Sequence, residues 1–261
     1  MRTITVAFAL VLSIPGLAAA QEWEQYQNIQ DGFRTVFPGQ PKVTTTTYKT
    51  QHGYVLPARV YTVDKGREHY SVTVADYSDI EQMGKEHAET CPKGALVCKG
   101  GGDLIGIGYW KHDTRGAPVN AAWRIMQREN VKVTDFLYSH HDLIEGYELQ
   151  ATNLADQSRI YAFIAMYEMK LYISEATVPK GAPPATLFQT EFGWVDKDGN
   201  GIRYQTMYSY EFHGMQPKLC PPVSNDSAKC GRTYPLPPLQ GAGRAGRGGG
   251  GGGGGGQQPQ Q

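Results

Sequence analysis

The sequence predicts an α+β domain, an antiparallel β-sheet flanked by helices, with a disordered Gly-rich C-terminal tail. Three observations carry this. Segments that alternate apolar and polar residues, or are β-branched throughout, recur between Gly, Pro, Asn and Asp turn signals. A hairpin followed by a segment of helical period occurs twice. From about Arg232 the chain carries almost no apolar side chain and ends in Gly248–Gly256 and a Gln/Pro run, so burial cannot offset the entropy of ordering it.

The elements follow in order. Glu22–Asn28 opens the chain as a strand, and Gly32–Phe37 is a second, stopped by Pro38-Gly39. Val43–Thr50 is Thr-rich and favours β conformation. Turns at His52-Gly53 and Lys65-Gly66 lead into Tyr54–Val63 and Tyr70–Asp76. Ser78-Asp79-Ile80-Glu81 has the form of a capping box, opening a helix lined by Ile80, Met83 and His87. Ile107–Asp113 and Val119–Arg128 read as a hairpin about Thr114-Arg115-Gly116, with Val119, Ala121, Trp123 and Ile125 sharing a face. Lys132–His141, Tyr147–Asn153, Arg159–Tyr167 and Leu171–Val178 continue the sheet. Pro183-Pro184 starts a closing helix through Leu187, Phe188 and Phe192, stopped at Gly193.

The ends set the compartment. Arg2, an apolar run from Ile4 to Ile14, the Pro15-Gly16 break and Ala18-Ala19-Ala20 are the parts of a cleavable export signal over residues 1–20. That run is too short to cross a bilayer, which takes about 20 apolar residues, and no later segment is apolar enough. The mature chain is expected to be periplasmic or secreted, with no membrane span. It divides into a domain over 21–212, a disulfide-closed extension over 213–231 and the tail over 232–261.

Lys plus Arg and Asp plus Glu both number 25, so no global field draws the protein to nucleic acid or anionic lipid. Arg244 and Arg247 among glycines are too few for an RNA-binding tail. The four cysteines, Cys91, Cys98, Cys220 and Cys230, read as two disulfides in an exported chain. Cys91–Cys98 and Cys220–Cys230 are the favoured pairs of three connectivities, because each brackets a short polar loop. The gaps within the pairs are wider than the roughly two-to-four-residue spacing of zinc knuckles.

Gly32–Pro41, the long hairpin after it and the closing hairpin-plus-helix resemble PsbP-like domains, named for an extrinsic photosystem II subunit. More closely, Phe37–Pro41, Gly108–Ala117 and Gly199–Gln205 are similar to stretches shared by uncharacterised exported bacterial proteins. The resemblance covers about Asp31–Tyr208. It implies the sheet-and-helix fold and carries over no catalytic residue, since fold alone licenses none.

Candidate chemistry is sparse. Asp196-Lys197-Asp198-Gly199-Asn200-Gly201 begins like an EF-hand loop, which would make Asp196, Asp198 and Asn200 ligands of a weak Ca²⁺ site. Met207 stands where that loop needs its bidentate Glu, so a tight turn is the favoured reading. Ser139-His140-His141-Asp142 contains hydrolase residue types, but on a strand His140 and His141 point to opposite faces, and no G-x-S-x-G elbow occurs. His112-Asp113 meets the same objection. Trp110, Trp123, Tyr109 and Tyr138 are candidates to line a groove or simply to pack the sheet. The expected role is a non-catalytic accessory or binding module with an envelope protein partner and no cofactor. The alternative is an envelope hydrolase using His140 or His141.

Overall fold

Strict alternation makes the first strands. In β2 (Phe33–Phe37) the odd positions are buried and the even ones half-buried, and β5 (Glu68–Asp76) buries Tyr70, Val72 and Val74 in the same way. The computed structural model describes residues 23–95, 98–99, 110–210, 219–220 and 231–234. The expected leader, the side chains of the expected Cys220–Cys230 bridge and the glycine run lie outside the described residues.

Two sheets face one another. The larger combines β3 (Lys42–Lys49), β4 (Val55–Lys65), β5, β6 (Val131–His141), β7 (Ile144–Asn153), β8 (Arg159–Tyr167) and β9 (Lys170–Val178). It is antiparallel throughout, in the order β3-β4-β5-β9-β8-β7-β6. The smaller is ordered β1-β2-β10-β11-β13-β12, from β1 (Glu24–Asn28), β10 (Gly193–Val195), β11 (Gly201–Arg203), β12 (Leu219–Cys220) and β13 (Gly231–Tyr234). Arg232–Tyr234, expected at the head of the tail, pair with β11.

Only three helices occur among the described residues: α1 (Ile80–Glu89), α2 (Trp110–Met126) and the single turn α3 (Thr186–Thr190). The fold is therefore mostly antiparallel β rather than a sheet flanked by helices. On one side the larger sheet is covered by α2, with α1 packed on it where Trp110 meets Gly84. On the other the covering layer is the smaller sheet together with α3.

The repeated hairpins, β4–β5 and β8–β9, form the central four strands by pairing β5 to β9. Their following helices lie on opposite faces, so the echo does not extend beyond the strands.

The expected hairpin of Ile107–Asp113 and Val119–Arg128 is instead a helix from Trp110 to Met126. Thr114, Ala117, Pro118, Ala121, Ala122 and Ile125 form its buried stripe, at the three-and-four spacing of an α-helix. Val119 and Trp123, expected to share a face with Ala121 and Ile125, are exposed while those two are buried. Alanines satisfy both periods, and Pro118 and Gly116 imitate turn residues, so local pattern misleads here. The buried Asp113 fastens the helix start to the β3–β4 turn, accepting hydrogen bonds from Thr50 Oγ1 at 2.8 Å and the His52 amide at 3.1 Å. The Ser78 capping box does not form either. Ser78 donates to Asp76 Oδ1 instead, and α1 has Asp79 at its N-cap without a side-chain bond. The closing helix is shorter than expected, because Phe192 enters the core beside β10.

An aromatic layer fills the space between the sheets. Phe33 meets Tyr61 edge-on with centroids 4.9 Å apart, Phe188 meets Tyr70 at 5.3 Å, and Phe192 meets Trp194 at 5.3 Å. Each such ring contributes about 1.5–3 kcal/mol by leaving water. One charged group crosses the same gap. Asp31, buried in the β1–β2 turn, accepts from Arg59 Nε at 2.6 Å, from Arg59 Nη2 and from the Tyr61 hydroxyl, while its backbone oxygen accepts from Tyr172 at 2.8 Å. Burial pushes the Asp31 carboxyl up, but the Arg59 and Tyr61 bonds outweigh it and hold the group below the usual range.

Asp31→Asn leaves the Arg59 charge without its counter-ion and should cost about 2–3 kcal/mol by denaturant unfolding at pH 7. A carboxylate whose folded pKa is depressed contributes stability above its unfolded value of about 4 and loses it as pH falls through the folded value. The gap between wild type and variant should therefore close below about pH 4, and a gap constant with pH would contradict this role. Gly146 on β7 gives a second check. A Cβ there would lie 2.6 Å from the Ile164 carbonyl oxygen and 2.8 Å from the Phe163 ring, so Gly146→Ala should cost about 1–3 kcal/mol, read as a melting temperature lower by roughly 3–10 °C.

Candidate functional site

The β6–β7 hairpin carries the hydrolase-type candidates Ser139, His140, His141 and Asp142, together with Tyr138. Paired residues share a face, so the register Leu137↔Glu148, Ser139↔Gly146 and His141↔Ile144 puts Leu137, Ser139, His141 and Glu148 on the side of the smaller sheet. Phe136, Tyr138, His140, Tyr147 and Glu145 occupy the other side. His140 is exposed there, away from His141.

His141 is built into the inner face. Its ring stacks on the buried Phe163, centroids 3.6 Å apart and 9° between planes. Nδ1 lies 2.9 Å from the Phe192 carbonyl oxygen, which only accepts, so this nitrogen donates. Nε2 faces Glu148 Oε1 at 3.7 Å. Ser139 Oγ donates to that same oxygen at 2.6 Å. The Glu148 carboxyl is held below the usual range, first by the His141 imidazole and then, against the upward push of burial, by Ser139.

A serine, a histidine and a carboxylate are thus adjacent, but the proton path is not that of an activated nucleophile. The serine proton points to the carboxylate, which is a weakened base, and not to the imidazole. The groups are wired as a clasp holding β6 to the segment entering β10.

The outer side and rim of β6 are different in character. Leu137 is 55% exposed and Tyr138 59%, with Phe136 beside them at 39%. Phe136 stacks on Tyr147 at 5.3 Å, and Tyr138 meets Tyr147 edge-on at 6.1 Å. These residues lie on an edge strand: β6 pairs with β7 alone among the described strands. The opposite edge, β3, is Lys-Val-Thr-Thr-Thr-Thr-Tyr-Lys, almost wholly exposed and bracketed by Lys42 and Lys49, the composition that discourages strand addition. The two edges are chemically unequal.

The remaining sequence candidates are dispersed. Asp196 Oδ1 accepts from the amides of Asp198 at 2.9 Å and Asn200 at 2.8 Å, and Oδ2 accepts from Asn200 Nδ2 at 3.2 Å. The loop between β10 and β11 is a tight turn with Gly199 at φ +81°, its first carboxylate occupied by its own backbone. Asp196 also borders a cavity of about 320 Å³ shared with Tyr167, Glu168, Lys170 and Tyr172. Cys91 and Cys98 are joined as a disulfide. Trp110 packs against Gly84, Trp123 is exposed on α2, and Tyr109 lies outside the described residues. His112 and Asp113, expected on opposite faces of a strand, instead begin α2, and both neighbour His52, a partner no local pattern offered. The His52 Nδ1 lies 3.0 Å from Asp113 Oδ1, and its ring centroid lies 6.3 Å from that of His112. Sequence reasoning also missed Glu148, Phe136 and Leu137. The run Phe136-Leu137-Tyr138 was the available signal, since three consecutive apolar residues cannot all face one core.

No helix among the described residues is long and apolar enough to cross a membrane. No family model matches the chain, and no curated protein does. Among solved structures the chain is similar to the solution structure of cyanobacterial PsbP (CyanoP) from Synechocystis sp. PCC 6803. The identity is 13%, with 65% of this chain and 87% of that one covered at a TM-score of 0.35.

Proposed function

We propose that this is an exported, non-catalytic accessory module of the cell envelope that binds an extended segment of another envelope protein along β6. The observation that supports it is the unequal pair of edges: β3 carries lysines and threonines, while β6 presents Phe136, Leu137 and Tyr138 beside an outer backbone edge. An added strand gains main-chain hydrogen bonds from such an edge and side-chain specificity from the pockets along it. Leu137 on one face and Phe136, Tyr138 and Tyr147 on the other give a partner alternating apolar anchor points. The Cys91–Cys98 bridge fits a chain that works in an oxidising compartment. The Ser139–Glu148–His141 contacts are what the hydrolase alternative draws on, and they give the serine no base to activate it.

The test is cross-linking in intact cells with a photoreactive residue at Lys132, on the rim of β6, followed by mass spectrometry. One reproducible envelope partner is expected, and Leu137→Ser and Tyr138→Ser should each weaken its capture at least about fivefold, since exposed apolar anchors contribute about 1–2 kcal/mol. Their melting temperatures should match wild type. Capture unchanged in both variants would sink the edge-binding reading. Ester or peptide hydrolysis lost in His141→Ala but retained in Leu137→Ser would replace it with the hydrolase.

A further inference from the structure

The end of α1 carries a set of donors that the binding reading does not use. His87 lies in the last turn of the helix, and Cys91 follows the Thr90 cap with its Sγ 3.5 Å from the His87 backbone oxygen. The chain then turns through Pro92 and Gly94, the latter at φ +81°, and returns Cys98 to Cys91, with Cα atoms 5.8 Å apart. One ligand atom from each of His87, Cys91 and Cys98 lies within 4.8 Å of the other two. His87 is exposed and the cysteines are half-buried, so both a reductant and a metal ion can reach them.

Two thiolates and an imidazole form a soft donor set, suited to zinc(II) or another thiophilic d¹⁰ cation. Three protein ligands leave one tetrahedral position for water or an outside ligand. While the sulfurs are bonded to each other neither is a thiolate, and the donor set is closed. The spacing between the cysteines resembles no zinc knuckle. The third ligand comes from the helix before them, which is why the motif is invisible to a search on cysteine spacing alone.

We propose that this corner is a redox-gated soft-metal site, shut as the Cys91–Cys98 disulfide and opened by a dithiol reductant. In the opening step the dithiol's two thiols become a disulfide, and Cys91 and Cys98 each gain a hydrogen as thiols. In the second step a divalent cation replaces the two thiol protons, forming two metal–sulfur bonds and one bond to the His87 ring nitrogen, and two protons leave to solvent. Reoxidation by a disulfide oxidant reverses both steps and expels the metal. Tetrahedral zinc needs its sulfurs roughly 3.8 Å apart, a separation that the Pro92–Gly94 turn, exposed at the surface, has room to supply.

The experiment uses the full chain carrying Cys220→Ser and Cys230→Ser, so that one dithiol remains. It is reduced with a phosphine, desalted without oxygen and titrated with Co²⁺. Reduced protein should develop thiolate-to-cobalt charge-transfer absorption and the visible bands of tetrahedral cobalt at one equivalent, both removed by one equivalent of Zn²⁺. Oxidised protein should show neither. Adding Cys91→Ser and Cys98→Ser should abolish both signals. His87→Ala should keep the charge transfer and weaken Co²⁺ binding at least about tenfold. Absent bands in reduced protein that still melts cooperatively would overturn the proposal, as would unchanged affinity in His87→Ala. Loss of the melting transition in the variant with no cysteines would overturn it too, because the site requires this corner to persist when the bond is open.

Discussion

Asp31 sits in a turn of the smaller sheet, yet its carboxylate is satisfied by Arg59 and Tyr61, both on β4 of the larger one. Its own backbone oxygen is taken by Tyr172 on β9. A carboxylate stripped of water is tolerated only where such donors converge, so this one group specifies how the sheets face each other. The aromatic layer supplies most of the driving force but little direction, because rings accept several offset and edge-on arrangements of similar energy. The ion pair selects among them: with Asp31 docked, Phe33 meets Tyr61 and Phe192 stacks over Phe33 at 5.8 Å.

That alignment decides what is left over. The smaller sheet and α3 cover β8, β9 and the neighbouring strands, and α2 covers the reverse side. The outer edges of β3 and β6 are left unpaired among the described strands, and they differ. β3 is Thr-rich between two lysines, while β6 carries Lys132, Asp135 and a bulge in its first half and presents Phe136, Leu137 and Tyr138 beyond it. His141 marks the border. Its ring lies over the buried Phe163, while four residues earlier in β6, on the same face, Leu137 is exposed. The proposed binding edge is therefore continuous with the core and not a loop hung from it.

The sequence showed most of the strands because each has one wet and one dry face, and alternation is visible without knowing the partner. The central hairpins and the strands from Lys132 to Val178 are legible for that reason. It hid α2, where a stripe of alanines satisfies either period and the bulky residues Val119 and Trp123 face water. It hid Asp31 more completely. The residues that make its burial possible are 28 and 30 positions away, and an Asp before a Gly reads locally as turn chemistry alone. At the candidate site, the divergence of His140 and His141 follows from strand geometry, but Glu148 enters through a register that no local pattern sets. The His87–Cys91–Cys98 group escaped for the same reason, since one member belongs to a helix and the others to the loop beyond it.

Two tight turns close the argument about the edge. The β6–β7 turn holds Asp142 and Leu143 at φ 49° and 62°, and the β8–β9 turn holds Glu168 and Met169 at 44° and 60°. Side chains rarely adopt this region, and each such residue costs on the order of 1 kcal/mol unless its surroundings hold it there. Here residues 204–210 do so. The Tyr204 amide donates to Asp142 O at 3.0 Å, the Tyr208 amide donates to Leu143 O at 2.8 Å, and the Tyr208 hydroxyl accepts from the Glu168 amide at 3.2 Å. Arg34 adds an ion pair to Asp142 at 2.9 Å. An edge strand whose turn is already fixed loses little further freedom when a partner strand is added, and ordering is a main cost of binding an extended segment. The strain in the turn and the clasp at His141 are thus two parts of one arrangement, a hairpin ordered in advance along the edge proposed to bind.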